Sequence, residues 1–199
     1  MSYHYAEVAA PKGAPLLFLF HGTGGDETDL LDLGHEVLPE AHLISPRGDV
    51  SEGGALRFFK RTGEGVFDMS DLARATSRMR GFIEERTAAL SPSSVAALGY
   101  SNGANILASV LFDAPRLIHG AVLMHPLIPF VPAPQRGLTG TRVLITAGRR
   151  DPIAPAPLTE QLAAYFVAQG AHAQLFWHEG GHEPRAEEIA AAREFLANP

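Results

Sequence analysis

At 199 residues the chain is long enough to bury a proper core in one domain, and 46% hydrophobic with 19% charged residues is ordinary for a globular protein. A formal net charge of −6 with no long Lys/Arg cluster argues against a nucleic-acid partner, and the longest aliphatic-aromatic run, Leu16 to Phe20, is far too short for a stable membrane span. The absence of cysteine removes disulfides, thiolate metal sites and cysteine nucleophiles; Met1 to Pro11 lacks the basic start and apolar stretch of a secretory signal, so the cytoplasm is the expected compartment. In chain order, Ser2 to Val8 alternates weakly and reads as an edge strand. Leu16 to Phe20 is continuously apolar, the pattern of a strand buried on both faces. After His21-Gly22-Thr23-Gly24-Gly25-Asp26, either Asp26 or Thr28 can cap a helix carrying Leu30, Leu31 and Leu33. Ala41 to Ser45 reads as a strand, and 49–66 as irregular, glycine-rich chain. Asp71 to Arg86 places Leu72, Ala75, Met79, Phe82, Ile83 and Arg86 at three- and four-residue steps, an amphipathic helix that Ser91-Pro92 terminates.

A buried strand starting at Val95 then meets a helix over 104–112 through Gly99-Tyr100-Ser101-Asn102-Gly103. Gly120 to Met124 and Arg142 to Ala147 are further strands, separated by a proline-rich stretch, 126–140, that is excluded from central sheet. Leu158, Leu162, Tyr165 and Phe166 line a helix ended by Gly170; Ala173 to Trp177 is the last strand and 184–196 the last helix. No repeat or linker interrupts the series, so 1–199 reads as a single domain. Strands alternating with helices predict a mostly parallel sheet covered on both faces, with the ligand beyond the strands' carboxyl ends. His21, Ser101, Asp151 and His182 all fall just past an expected strand end.

G-x-S-x-G between a strand and a helix suits a nucleophilic serine. The turn holds the hydroxyl off the sheet in a strained, positive-φ conformation, and the glycines allow strand and helix to approach. Asp151, in Gly148-Arg149-Arg150-Asp151-Pro152, can orient an imidazole; His182, in His178-Glu179-Gly180-Gly181-His182, can accept and return the serine proton. Ser, Asp, His is the chain order of α/β-hydrolases. Backbone N–H groups of Thr23 and Asn102 are the expected oxyanion donors. The glycine-rich loop after His21 lacks the lysine and hydroxyl of a phosphate-binding loop, and His21 reads as a loop anchor. His178-Glu179-Gly180-Gly181-His182 also fits H-E-x-x-H, but the zinc site needs a helix there, and two adjacent glycines after a β-like run oppose one. No metal is expected. Histidines 4, 35, 42, 119 and 172 show no ligand spacing, whereas His125, just past a strand end, is a candidate pocket residue.

These motifs, together with Ser45-Pro46-Arg47-Gly48, Arg57-Phe58-Phe59 and Glu64-Gly65-Val66-Phe67-Asp68, resemble the small lidless serine hydrolases of the phospholipase/carboxylesterase family. More narrowly, the chain resembles bacterial carboxylesterases associated with hydroquinone-resistance genes. The resemblance spans nearly the whole chain. It implies an α/β-hydrolase fold in three layers, a Ser101/Asp151/His182 triad, an oxyanion hole from Thr23 and Asn102, no cofactor, a small-molecule carboxylic ester as substrate and, often, a homodimer. The chain is too short for a separate cap domain, so Phe58, Phe59 and the Leu127 to Phe130 loop, including Ile128, are expected to wall an open pocket for short-chain esters. A thioesterase or lysophospholipase using the same site, and a ligand-binding protein that has lost turnover, are the competing functions.

Overall fold

The computed structural model describes residues 3–198; Ser2, the first residue of the expected edge strand, lies outside that range. The chain opens with β1 (Tyr5–Val8), which is only partly buried, and β2 (Leu16–Phe20), in which all five residues are fully buried. A short helix, α1 (Leu31–Val37), leads to β3 (His42–Pro46). The stretch 49–66, expected to be irregular, forms with Phe67 two small antiparallel hairpins: β4 (Val50–Glu52) with β5 (Ala55–Arg57), and β6 (Arg61–Gly63) with β7 (Val66–Phe67). Gly53 and Gly54 both have positive φ, +57° and +92°, which a two-residue hairpin turn requires. Next come α2 (Met69–Leu90), β8 (Val95–Tyr100), α3 (Asn102–Asp113), β9 (Gly120–Met124), β10 (Arg142–Gly148), α4 (Ala156–Ala168), β11 (His172–His178) and α5 (Ala186–Ala197).

The main sheet has the order β1-β3-β2-β8-β9-β10-β11, parallel throughout except for β1, which pairs antiparallel with β3. Strand alternation divides the core. Leu16, Phe18 and Phe20 face a cluster built with α2, α3 and α4, whereas Leu17 and Leu19 face one built with α1 and α5. Each such leucine or phenylalanine contributes about 2 kcal/mol relative to an exposed position. These two apolar layers explain why β2 carries no polar side chain.

Two helix starts differ from expectation. Asp26 does not cap α1; its Oδ1 accepts from Thr28 N and Oγ1 at 2.8 and 2.7 Å, closing a local turn, and the helix begins after Leu30. α2 begins at Met69, because Asp68 Oδ1 accepts from the Ser70 and Asp71 N–H groups at 3.1 and 3.0 Å. Strand order reverses direction about β2, whose neighbours β3 and β8 follow it on opposite sides, so a crevice opens above the carboxyl ends of β2 and β8.

Candidate active site

Five adjacent strands, β2, β8, β9, β10 and β11, end within a few residues of His21, Ser101, His125, Asp151 and His182, respectively. Ser101 continues the sheet by one hydrogen bond, its N–H donating to Met124 O at 2.9 Å, and then turns sharply with φ +53° and ψ −114°. This conformation lifts Oγ above the sheet at the start of α3. The turn fits only with glycine at its flanks. A Cβ on Gly103 would lie 1.9 Å from Phe20 O, and one on Gly99 would lie 2.5 Å from Gly103 O.

His182 Nε2 is 2.9 Å from Ser101 Oγ and its Nδ1 is 2.7 Å from Asp151 Oδ2. The three side chains thus form one continuous hydrogen-bonded chain at the rim of the sheet. Tyr100 Oη donates to His182 O at 3.0 Å and fixes the loop that carries the ring. Asp151 is held from the other side: its Oδ1 accepts from the Ile153 and Ala154 N–H groups at 2.8 and 3.0 Å. Burial pushes its carboxyl up, but the Ala154 N–H, the two facing histidines and the Ile153 N–H outweigh this and leave it below the ordinary carboxylate range. An ionised Asp151 can orient His182 and stabilise its cation without taking the proton. Chemically, the arrangement can draw a proton from Ser101 Oγ to His182.

The N–H groups of Thr23 and Asn102 donate to no acceptor within the described residues, and both residues line the cavity in front of Ser101. The β4–β5 hairpin braces both. Leu56 O accepts from Gly24 N at 2.9 Å, Arg57 Nη1 donates to Thr23 Oγ1 at 2.7 Å, and Phe58 N donates to Asn102 Oδ1 at 2.8 Å. His21 anchors the same loop. Its Nε2 accepts from Gly48 N at 2.9 Å, so the ring proton sits on Nδ1, which donates to Gly22 O at 2.7 Å. Burial lowers the His21 pKa, in keeping with a neutral ring.

The cavity is about 470 Å³ and is lined by Leu127, Phe67, Ile153, Arg57, Arg61 and Glu64 around Ser101 and His182. This corrects the expected wall. Phe58 and Phe59 are fully buried against Phe20 and Phe67 in the core, and Ile128 is 3% exposed in the same cluster. Of the expected wall, Leu127 alone lines the cavity, its N–H held by Asn105 Oδ1 at 2.7 Å. The physical reason lies in the backbone: with Phe58 N–H tied to Asn102 Oδ1, both rings turn into the core and Arg57 takes the cavity side instead. His178 ends β11 and residues 179–181 bend without helical structure, so the H-E-x-x-H segment lacks the helix that would put its histidines on one face. His125, a pocket candidate from its position alone, touches the cavity and is otherwise enclosed, with Nδ1 2.9 Å from Asp151 Oδ2.

The profile of the Dienelactone hydrolase family matches residues 67–188, more than half of the chain and the part that holds Ser101, Asp151 and His182. The chain belongs to this family. Among curated proteins it is 44% identical over 182 residues to the “Putative hydrolase MhqD” of Bacillus subtilis (strain 168), covering 90% of this chain and 91% of that one. Among solved structures, the protein Atu2452 of unknown function from Agrobacterium tumefaciens is 53% identical, with TM-score 0.92 over 98% of this chain and 96% of that chain. The Bacillus cereus carboxylesterase is 37% identical, with TM-score 0.92 over 96% and 92%. This member of the dienelactone hydrolase family is therefore a hydrolase of the α/β-hydrolase type. The likeness to bacterial carboxylesterases read from the motifs holds, while the matching profile carries the dienelactone hydrolase name.

Proposed function

We propose that this chain is a serine carboxylesterase that cleaves small or short-chain carboxylic esters through an acyl-enzyme on Ser101, without a cofactor. The observation that carries the reading is the unbroken sequence of contacts, Ser101 Oγ to His182 Nε2 at 2.9 Å and His182 Nδ1 to Asp151 Oδ2 at 2.7 Å. His182 takes the Ser101 proton as Oγ attacks the ester carbonyl, and the carbonyl electrons move onto the oxygen facing the Thr23 and Asn102 N–H groups. Collapse of this intermediate expels the alkoxide, which receives the proton from His182. Water then enters, loses its proton to His182 and releases the acid and the free serine. A cavity of about 470 Å³ lies at the lower part of the range for small-molecule sites, and its Leu127, Phe67 and Ile153 wall suits a short acyl or alkyl group. The related Bacillus cereus protein is a carboxylesterase, which supports an ester as the substrate. Among the described residues no helix is long and apolar enough to cross a membrane. The compartment proposed for the reaction is the cytoplasm, as expected from the sequence.

The test is direct. A fluorophosphonate probe labels the wild type at Ser101, and Ser101→Ala abolishes both labelling and turnover of nitrophenyl acetate while unfolding at the wild-type denaturant midpoint. Turnover in the folded alanine variant, or labelling at another serine, refutes the reading. Acetyl and butyryl esters are turned over faster than long-chain ones; the reverse order refutes the short-chain assignment.

A further inference from the structure

The acyl-transfer scheme leaves one buried ionisable cluster without a role. His125 follows β9 directly, is fully buried, and takes φ +52° immediately before Pro126. A non-glycine residue held there is strained, and a following proline narrows its options further. The conformation aims the ring between two carboxylates. Nδ1 is 2.9 Å from Asp151 Oδ2, the same oxygen that faces His182 Nδ1, and Nε2 is 3.2 Å from Glu188 Oε1 on α5.

The hydrogen-bonding partners fix where the protons lie. Asp151 Oδ2 can accept from His125 only if Nδ1 carries a proton. Gly180 N–H donates to His178 Nδ1 at 2.9 Å, so the His178 proton is on Nε2, which lies 3.4 Å from His125 Nε2 and 3.2 Å from Glu188 Oε2, off the line of a hydrogen bond to that oxygen. Arg185 N–H donates to Glu188 Oε1 at 3.0 Å in the first turn of α5, where negative charge is favoured. His125 Nε2 can accept from His178 Nε2–H at 3.4 Å or, protonated, donate to this carboxylate at 3.2 Å; the shorter contact to a charged oxygen in a buried site favours the second, in which both ring nitrogens of His125 carry protons. Burial pushes the His125 pKa down, but its hydrogen bonds to Glu188 and Asp151 outweigh this and raise it. The same reasoning removes His125, His178 and Glu188 as a metal triad, because His178 would have to surrender the Nε2 proton as well.

We propose that His125, clamped as an imidazolium between Asp151 and Glu188, is a positioning residue that fixes the Asp151 carboxylate and extends the base function of His182 to lower pH. The His125 and His182 ring centroids are 5.2 Å apart, so a positive charge on the first opposes a second one on the other. Tyr100, 5.6 Å from His182 and 6.0 Å from His125, is the other titratable ring facing both, and its pKa is raised by burial and then by Asp151. Asp151, Glu188 and His178 complete the groups packed on His125. The inference rests on the Ser101–His182–Asp151 reading.

His125→Gln keeps an amide donor and removes the charge. The acidic limb of its kcat/KM profile moves up by about one pH unit, the effect of deleting a like charge at this range, while the plateau stays within about tenfold. A histidine that merely fills space would lower the plateau or the unfolding midpoint and leave the limb in place, and this result overturns the proposal. Glu188→Gln keeps the acceptor for Arg185 N–H but leaves His125 with one carboxylate; its limb moves the same way, and it carries the test should His125→Gln not fold. Ring ¹⁵N chemical shifts of the wild type at pH 7 supply a readout independent of turnover: His125 is doubly protonated, and a neutral ring overturns the proposal. Failure of the fluorophosphonate to label wild-type Ser101 sinks the parent reading, whereas a labelled, active enzyme with an unmoved limb in the variants sinks the role of His125 alone.

Discussion

Gly103→Ala is the sharpest perturbation of the way this site is held. The added Cβ would lie 1.9 Å from Phe20 O, 2.4 Å from Phe20 C and 2.6 Å from His21 O, where contacts under 3.0 Å are essentially never seen. All three atoms are backbone at the end of the fully buried β2, so no side-chain rotation relieves the clash. α3 and β2 must separate by about 1 Å, in a core as densely packed as an organic crystal. Overpacking of this kind costs about 1–3 kcal/mol. The same displacement widens the gap between Asn102 N–H on α3 and Thr23 N–H after β2, and a misplacement of about 1 Å in a reacting geometry can cost about 10²-fold in rate. Urea unfolding reads the first quantity and kcat/KM for nitrophenyl acetate reads the second. An alanine variant with wild-type midpoint and wild-type kcat/KM would refute the argument that this close approach sets the oxyanion geometry.

Asn102→Ala keeps the backbone donor but strands the buried Phe58 N–H that its Oδ1 accepts; it lowers stability by about 1–3 kcal/mol in urea unfolding, with a smaller loss of kcat than Ser101→Ala. Glu27 is held below the usual carboxylate range by the hydrogen-bonded Arg47 guanidinium, with Arg47 Nη2 to Oε1 at 2.7 Å. A depressed folded value means that this pair stabilises the fold above the ordinary carboxyl pKa of about 4.3 and is lost as pH falls through the folded value. Glu27→Gln therefore lowers Tm at pH 7 and flattens its fall in acid; parallel Tm curves for variant and wild type would contradict this. Gly81 is exposed on α2, and a methyl group added there would meet nothing within 4 Å, so it is a helix-interior glycine without a packing role. Gly81→Ala raises stability by about 1 kcal/mol without changing kcat/KM.

The layered fold was legible because its strands carry unambiguous signals. Leu16 to Phe20 has no polar position to offer solvent, and the alternation of such runs with amphipathic helices leaves few topologies. Ser101 was legible for the same reason, since glycines at 99 and 103 have no other purpose in a strand-to-helix turn. The hairpins over 50–67 were not. Each strand is two or three residues long, too short for alternation to register, although Gly53-Gly54 and Glu64-Gly65 mark their turns. Phe58 and Phe59 misled through their size. Aromatic residues beside a functional loop suggest a pocket wall, but the Phe58 N–H bond to Asn102 turns both rings inward and leaves Arg57 at the cavity. Nothing local reveals that Glu188, on the last helix, reaches His125.

Ser101 and His125 show one backbone device used at neighbouring strand ends. Each extends its strand by a single N–H bond, Ser101 to Met124 O at 2.9 Å and His125 to Thr146 O at 2.8 Å, and each then turns with nearly the same positive φ, +53° and +52°. Among the described non-glycine residues only Ser91, at the C-cap of α2, also has a positive φ, and there it is an ordinary left-handed helix end. The serine is flanked by glycines that make its strain visible in the sequence, whereas the histidine has only Pro126 behind it. Strain of this kind persists where surrounding structure over-determines it, and at both positions the structure that does so is the adjacent strand's backbone. The consequence is geometric. One turn raises a hydroxyl into the cavity, the other drives an imidazole down between Asp151 and Glu188, and His182 is held between the two through Ser101 Oγ and Asp151 Oδ2. A substitution that relaxes the turn at 125 therefore acts on His182 through Asp151 and through the charge on the neighbouring ring, which is why its signature belongs in the pH profile of the reaction and not in the labelling of the serine.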